Sequence, residues 1–154
     1  MANAITKIAS TTVGAGGAVS LQFTSIPGTY TDLLLLTSIR LTANDNGCAF
    51  TINNNSGSIN NYIRFSAVGT AIDTYKRASS SFYDSLAGVV ASSWTSNVFS
   101  NTSIYISNYT SSSNKNIFVD TTAENNASTD TKSITTVMIA DTNPVTSVKI
   151  YFTG

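Results

Sequence analysis

Apolar and polar residues alternate with a period of two along most of this chain. In residues 19–23 and 148–152 every second position is Val, Leu, Ile or Phe, and the positions between them are Ser, Gln, Lys or Tyr. Successive side chains of a strand point to opposite faces, so this pattern predicts strands with one buried face. The segments are also rich in the β-branched and aromatic residues that strands favour.

The same pattern, with turn residues between the apolar segments, predicts short strands along the whole chain. A short helix over residues 82–91 is the alternative for one of them, although Gly88 and the paired valines disfavour it. Asn46-Gly47 predicts a tight hairpin between its neighbouring strands, because both residues adopt a positive φ readily. The predicted strands cover residues 4–10, 18–25, 32–42, 47–53, 61–68, 71–77, 86–91, 97–107, 115–123, 132–140 and 145–153.

Residues 33–36 are four consecutive leucines, and they break the alternation. A strand that is apolar on both faces lies in the middle of a structure, or one of its faces meets another subunit. We therefore expect Leu34→Asp or Leu35→Asp to destabilise the protomer or its assembly by several kcal/mol, because each substitution buries an unpaired charge.

Many short strands at close, fairly regular spacing predict an all-β fold, specifically a jelly-roll-like antiparallel β-sandwich. The length suits one domain, residues 1–154, and no internal repeat, linker or change of composition divides it. Hydrophobic residues make up 42% of the chain, with seven Phe and seven Tyr among them. This is enough apolar material for one core.

Charge is scarce in this sequence, and hydroxyl and amide side chains take its place. Charged residues make up 10% of the chain, against roughly a quarter in an average soluble domain. Ser, Thr and Asn account for about two residues in five. The eight basic residues balance the eight acidic ones, so nothing favours a nucleic-acid backbone as a partner. Such a surface suits a protein that packs against copies of itself or its neighbours.

The sequence predicts neither a membrane partner nor secretion. The first ten residues lack a long apolar stretch after Lys7, so they do not resemble a secretory signal. The longest aliphatic run, residues 33–36, is far shorter than the roughly 20 residues that span a bilayer.

The chain has few side chains that could carry out acid–base catalysis or bind a metal ion. The chain has no His, which excludes Ser-His-Asp and Cys-His catalysis and removes the commonest zinc ligand. Its single cysteine, Cys48, has no disulfide partner within the chain, and we expect a small buried residue there. Calcium bound by residues 44–46, or by Glu124 and Asn125, is the remaining metal alternative. The preference of these residue types for turns explains their presence without a metal ion.

The carboxylates show no pairing in the sequence of the kind that a glycosidase needs across a cleft. We therefore expect no enzyme and no cofactor, and we assign no catalytic, cofactor-binding or metal-binding residue. The eight carboxylates are Asp32, Asp45, Asp73, Asp84, Asp120, Glu124, Asp130 and Asp141.

Aromatic residues offer one alternative for binding. Exposed aromatic side chains can stack on sugar rings, so Trp94 and the tyrosines could form a glycan platform. In a β-sandwich, however, aromatic residues more often belong to the core or to an interface. The tyrosines are Tyr30, Tyr62, Tyr75, Tyr83, Tyr105, Tyr109 and Tyr151.

Two blocks of the sequence are distinctive. The first is VGAGGA at residues 13–18, which leads into FTSIPGTYTDL at residues 23–33. The second is IYISNYT at residues 104–110, followed by SNK at 113–115 and ENN at 124–126. Both blocks resemble small virion structural proteins of tailed bacteriophages, especially those of marine and cyanobacterial phages.

The resemblance extends from about residue 5 to the end of the chain, and it implies a non-enzymatic all-β module on a virus particle. The leading expectation is a capsid decoration or cement protein, a homotrimer that bridges subunits of the major capsid protein and stabilises the head shell. The alternative is a tail-fibre or baseplate-associated module that binds a host surface glycan. Both imply a protein that is made in the host cytoplasm and built into the virion. Related proteins continue past the position of Gly154 through another strand, and its absence would leave an open sheet edge.

Overall fold

The structure is a computed structural model that describes residues 5–44, 47–80, 83–84, 89–127 and 130–153. These residues contain ten strands and no helix. The strands are β1 (Ser20–Phe23), β2 (Leu33–Ile39), β3 (Gly47–Ile52), β4 (Asn60–Val68), β5 (Ala71–Ser80), β6 (Tyr83–Asp84), β7 (Ser100–Ile106), β8 (Lys115–Glu124), β9 (Asp130–Ile139) and β10 (Val148–Thr153).

The strands form two antiparallel sheets with a shared apolar core, and the predicted β-sandwich is confirmed. The small sheet has the strand order β1-β10-β3-β6, and β6 is only two residues long. The large sheet has six strands in the order β2-β7-β8-β9-β4-β5. All strand pairs within both sheets are antiparallel.

The hydrophobic core lies between the sheets and follows from the period-two pattern. Along β8 and β9 buried and exposed residues alternate, so each strand turns one face to the core. Aliphatic residues of both sheets meet there around the aromatic side chains of Phe50, Tyr62 and Tyr109.

Part of the hydroxyl-rich composition lies inside the sandwich rather than on its surface. Thr102 and Thr121 are buried on neighbouring strands, and their hydroxyl groups share a hydrogen bond of 3.1 Å. Buried hydroxyls are tolerated when they find such partners. Thr102 and Thr121 belong to a row of small hydroxyl residues that crosses five strands in register: Thr37, Thr102, Thr121, Ser133 and Ser66.

Two predicted strands are not formed as expected. Residues 5–10 form no strand, and they are exposed. Their two isoleucines are three residues apart, which does not give one face of a strand. Of the predicted strand over 86–91, residues 86–88 lie outside the described residues, and Val90 forms only an isolated bridge with Arg40. Of the helix alternative over 82–91, residues 83–84 form β6 instead, and residues 82 and 85–88 lie outside the described residues.

The hairpin predicted at Asn46-Gly47 is wrong. The strands on either side of it, β2 and β3, belong to different sheets, so the chain crosses the sandwich between Ile39 and Gly47. β3 pairs instead with β10, where Phe50 faces Ile150 in the core. A turn preference acts locally, whereas strand pairing depends on which apolar faces must be buried together.

The leucine run forms β2, and β2 is an edge strand of the large sheet. The expectation of a central strand is therefore wrong. Leu33 is buried and Leu35 packs against the core, whereas Leu34 and Leu36 are 49% and 69% exposed. The second alternative, in which one face of this strand meets another subunit, stays a prediction.

The last strand, β10, has a neighbour on both sides, because β1 and β3 flank it. In the described part of the small sheet, the edges are β1 and β6.

Arg40, directly after β2, attaches the loop before β7 to the large sheet. Its guanidinium donates hydrogen bonds of 2.8–3.3 Å to the backbone carbonyl oxygens of Ser92, Trp94, Thr95 and Val98. The planar fork of the guanidinium suits several acceptors at once. This loop in turn covers a second, smaller apolar cluster at one end of the sandwich.

Lys115, the first residue of β8, is completely buried. Its Nζ donates hydrogen bonds to the carbonyl oxygens of Ser111 at 2.7 Å, Ser113 at 2.6 Å and Asp141 at 3.3 Å. The three N–H groups of the ammonium thus have three acceptors. Burial lowers the pKa of Lys115, and the charge of Asp141 acts in the opposite direction.

Candidate functional site on the outer face of the large sheet

The outer face of the large sheet carries exposed apolar side chains. One row crosses all six strands in register, and each strand contributes one residue to it. Two aromatic residues lie directly opposite each other in this row: Tyr105, which is 41% exposed, and Phe118, which is 42% exposed. From β2 to β5 the row consists of Leu34, Tyr105, Phe118, Thr136, Ile63 and Lys76.

A groove of about 540 Å³ lies on this face. This volume falls within the range of roughly 300–1,000 Å³ that is typical of ligand sites. Tyr105, Phe118 and Ile63 give the groove its apolar lining, and amide groups of Asn61 and Asn116 add polar atoms. The other lining residues are Tyr62, Lys76, Arg77, Ser107, Ile117, Thr136, Val137 and Met138.

The charged residues that line the groove are both cations. Of the two, Lys76 lies on the outer face, opposite Ile63, whereas Arg77 is paired with the buried Tyr62 and is on the other face of the sheet. No carboxylate is found among the described residues of the lining. Asp120 lies on the same face of the sheet but one row away, opposite Ile134 of β9. The groove therefore has an aromatic end on β7 and β8 and a basic end on β5.

The ring of Tyr105 is held in place by Asp32. The Tyr105 hydroxyl donates a hydrogen bond of 2.8 Å to one carboxylate oxygen, and the backbone N–H of Asn108 donates to the other at 2.8 Å. The hydrogen bond from the Asn108 backbone, followed by that from Tyr105, lowers the pKa of Asp32. The same contact with Asp32 raises the pKa of the Tyr105 hydroxyl.

The two edges of the large sheet differ in their side chains. The edge strand β5 carries Asp73, Lys76 and Arg77, whereas β2, the opposite edge, carries no charged residue. Charged side chains on an edge strand prevent it from pairing with another chain. By this criterion β5 is a protected edge and β2 is not.

The N-terminal segment, residues 5–19, lies exposed without forming a strand. Ile8 and Ala9 lie with Leu33, Leu34 and Leu35 around a small cavity of about 80 Å³ beside β2. The segment therefore brings further apolar side chains to the same edge of the sandwich.

Among the carboxylates that the structure describes, Asp141 is held within a turn. The buried carboxylate of Asp141 accepts hydrogen bonds from the backbone and the side chain of Asn143, at 2.9 Å and 2.8 Å. Burial raises its pKa, but these hydrogen bonds, with those from the side chains of Asn55 and Asn53, outweigh burial and hold the pKa below its ordinary value. Asp73, Asp120 and Asp130 are exposed on strands, and Asp45 and the side chain of Asp84 lie outside the described residues.

The two sequences considered for calcium are also engaged locally. The carboxylate of Glu124 accepts a hydrogen bond from the backbone N–H of Asn126, and the Asn125 side chain accepts one from Ala127 at 3.0 Å. Asn44 accepts a hydrogen bond of 2.7 Å from the Ser92 hydroxyl, and residues 45–46 are not among those described. Within the described residues, no group of three or more His, Cys, Asp or Glu side chains could hold a metal ion.

The aromatic candidates do not form one platform. Tyr62 and Tyr109 are buried in the core, and Trp94 packs against the smaller apolar cluster. Tyr75 contacts Tyr62, with ring centroids 5.9 Å apart, and the guanidinium of Arg64 lies 5.4 Å from the centre of its ring. Two further tyrosines lie elsewhere in the fold, Tyr30 in a loop and Tyr151 on β10. The side chain of Tyr83 is outside the described residues.

Cys48 is completely buried in β3. Burial raises the pKa of its thiol to about 12. Since the thiolate is the reactive form of cysteine, this side chain acts as a small apolar residue of the core, as the sequence predicts.

Phe118, Ile63 and Lys76 are groove residues that the sequence interpretation did not single out. The signal for the first was present, because Phe118 falls between the buried Ile117 and Val119 and must face the other way. The sequence could not predict that Phe118 lies next to Tyr105, because only the register of β7 with β8 shows which outward-facing residues are neighbours.

No protein-family model, no curated protein and no solved structure matches this chain. The resemblance to virion proteins therefore stays a prediction that rests on the two sequence blocks. Among the described residues, no helix has the length and apolar character needed to cross a membrane.

Proposed function

We propose that this protein is a structural subunit of a bacteriophage particle, a decoration or cement protein that joins its neighbours through the β2 edge. The observation that carries the proposal is the difference between the two edges of the large sheet. β5 has three charged residues and β2 has none, although both are edge strands of the large sheet.

A neighbouring chain at β2 would cover apolar surface as well as backbone groups. Leu34 and Leu36 lie on the outer face of this edge strand, and covering both would contribute about 2–4 kcal/mol. Contacts of this size are weak singly, but they are multiplied when many copies surround one another on a closed shell. The neutral, hydroxyl-rich surface supports the same proposal, because near-zero net charge favours association.

The first test introduces a charge at the edge. Leu36→Lys should abolish self-association of the purified protein, measured by sedimentation velocity, for which we expect a trimer in the wild type. Ile72→Lys is the matched control, because Ile72 is 83% exposed on the protected edge β5. We expect Ile72→Lys to assemble like the wild type. If Leu36→Lys assembles as fully as the control, β2 is not the assembly edge.

The second test concerns the particle. Antibody labelling of intact phage should place many copies over the head shell, as a decoration or cement protein requires. The second candidate function is a tail-fibre or baseplate-associated module that binds a glycan, and the aromatic groove favours it. Labelling confined to the tail would support this second candidate and would remove the role on the head.

A further inference from the structure

We infer that the outer-face groove binds a short oligosaccharide that carries an acidic group. The inference goes beyond the proposed assembly, because the groove lining does not include the outward-facing Leu36 of the β2 edge. It applies to a module on the head or on the tail.

The aromatic end of the groove offers a surface on which a sugar ring can stack. Tyr105 and Phe118 are directly opposite on adjacent antiparallel strands, where Cβ atoms are roughly 4.5–5.5 Å apart. Both side chains are about half exposed, so their rings can contact a ligand without rearrangement of the core. Each offers an aromatic ring on the outer face, and the C–H groups of a pyranose ring pack well against such a ring.

Tyr105 is organised for binding before a ligand arrives. Its hydroxyl is fixed by the carboxylate of Asp32, which is itself fixed by the backbone N–H of Asn108. A side chain that is already held in one position loses little conformational entropy on binding. This arrangement is more than core packing requires, because Tyr105 points away from the core.

The polar groups in the lining suit sugar hydroxyls. Asn61 and Asn116 offer amide groups, each with both donors and an acceptor, and Ser107 adds a hydroxyl. Sugar hydroxyls also donate and accept, so each can pair with such groups. A few polar groups on a mainly apolar lining are typical of sites that orient a small ligand.

The acidic group follows from the charge of the lining. Lys76 lies at the β5 end on the outer face, and the described lining contains no carboxylate to compete with an anionic ligand there. From Phe118 on β8 to Lys76 on β5 there are three strand spacings, which is roughly 14 Å. A single sugar does not reach from the aromatic pair to the cation, whereas a short oligosaccharide does.

The test is a titration of the isotope-labelled full chain, followed by NMR chemical shifts. The neutral probes are cellotriose and chitotriose, and the acidic probes are trigalacturonate and a sulfated galactotriose. We expect an acidic probe to shift the resonances of groove residues and to bind more tightly than the neutral probes. Tyr105→Ala and Phe118→Ala should each weaken binding about tenfold, which corresponds to about 1.4 kcal/mol.

Matched variants separate stacking, charge and general surface effects. Lys76→Gln should weaken the acidic probes and leave the neutral ones unchanged. Phe99→Ala is the aromatic control, because Phe99 is 48% exposed and lies outside the groove, and it should bind like the wild type.

Three outcomes would overturn the inference. They are the absence of groove shifts with every probe, equal affinity in Phe99→Ala and the two groove aromatic variants, and self-association that buries the groove at all concentrations. The last outcome would assign this face to a second copy of the chain. The assembly test at Leu36 is independent: a Leu36→Lys protein that still assembles contradicts the proposed assembly edge whatever the groove binds, and groove variants that bind like the wild type contradict this inference whatever the state of assembly.

Discussion

The side-chain hydroxyl of Tyr109 donates a hydrogen bond to the backbone carbonyl oxygen of Pro27. The same hydroxyl accepts a hydrogen bond of 3.3 Å from the backbone N–H of Tyr30, and the Tyr109 carbonyl accepts one of 2.9 Å from Val145. Tyr109 therefore joins the loop before β2, the loop before β8 and the segment before β10. The first two of these loops belong to the two distinctive sequence blocks, so the blocks meet in space and have a structural reason to occur together.

Tyr109→Phe should destabilise the protein by about 1–3 kcal/mol, because it leaves the carbonyl of Pro27 and the N–H of Tyr30 without this partner. The ring still fills the core, so the fold should be retained. Urea denaturation followed by tryptophan fluorescence measures the change. Tyr30→Phe, at an exposed position of the same loop, is the control and should unfold at nearly the wild-type urea concentration. Equal midpoints for the two variants would show that the Tyr109 hydroxyl is not required.

Lys115→Met should destabilise the protein by about 3–5 kcal/mol. The substitution keeps most of the side-chain volume but removes the ammonium that serves three carbonyl oxygens and lies near Asp141. Thermal unfolding by calorimetry gives the comparison. The same change at Lys132, which is exposed on β9, should alter the unfolding temperature little. A Lys115→Met protein as stable as Lys132→Met would mean that the buried ammonium contributes nothing.

The pKa of Asp141 predicts a loss of stability in acid. Its pKa in the folded protein lies below the ordinary value of 3.8, so the folded state binds this proton less readily than the unfolded chain does. The resulting stabilisation is complete above that value and is lost as the pH falls through the folded-state pKa. Asp141→Asn should therefore reduce the difference in unfolding free energy between about pH 7 and about pH 2.

Denaturant titrations at both pH values measure the difference at Asp141. Asp73→Asn is the control, because Asp73 is exposed on β5. A pH dependence in Asp141→Asn as steep as in the control would show that acid destabilisation arises elsewhere.

The class of fold followed from local pattern, whereas the pairing of strands did not. Period-two alternation identified β8 and β9 because each strand must bury one face. The residues of the strand itself show this alternation, so it can be recognised locally. Asn46-Gly47 suggested a hairpin, but the apolar faces of β2 and β3 are buried from opposite sides of the core. Such pairing depends on residues about 100 positions away, since β3 pairs with β10.

The candidate site shows the same division. An outward-facing Phe118 could be predicted from the buried residues on either side of it. Its position opposite Tyr105 depends on the register between two strands, and the acceptor of the hydrogen bond that fixes Tyr105 is Asp32, 73 residues away. The sequence therefore could not predict which residues come together in the groove, although it could predict that some of them, such as Phe118, face outward.

The leucine run now gives two different predictions for neighbouring positions. Leu35 packs against the core, so Leu35→Asp should unfold the protomer or destabilise it by several kcal/mol. Leu34 is half exposed on the outer face, so Leu34→Asp should change the unfolding free energy by no more than about 1 kcal/mol and should act on assembly instead. Circular dichroism melting tests the first effect and sedimentation velocity the second. If both variants lose the same stability as isolated protomers, β2 does not lie at an open edge, and the proposed assembly surface is wrong with it.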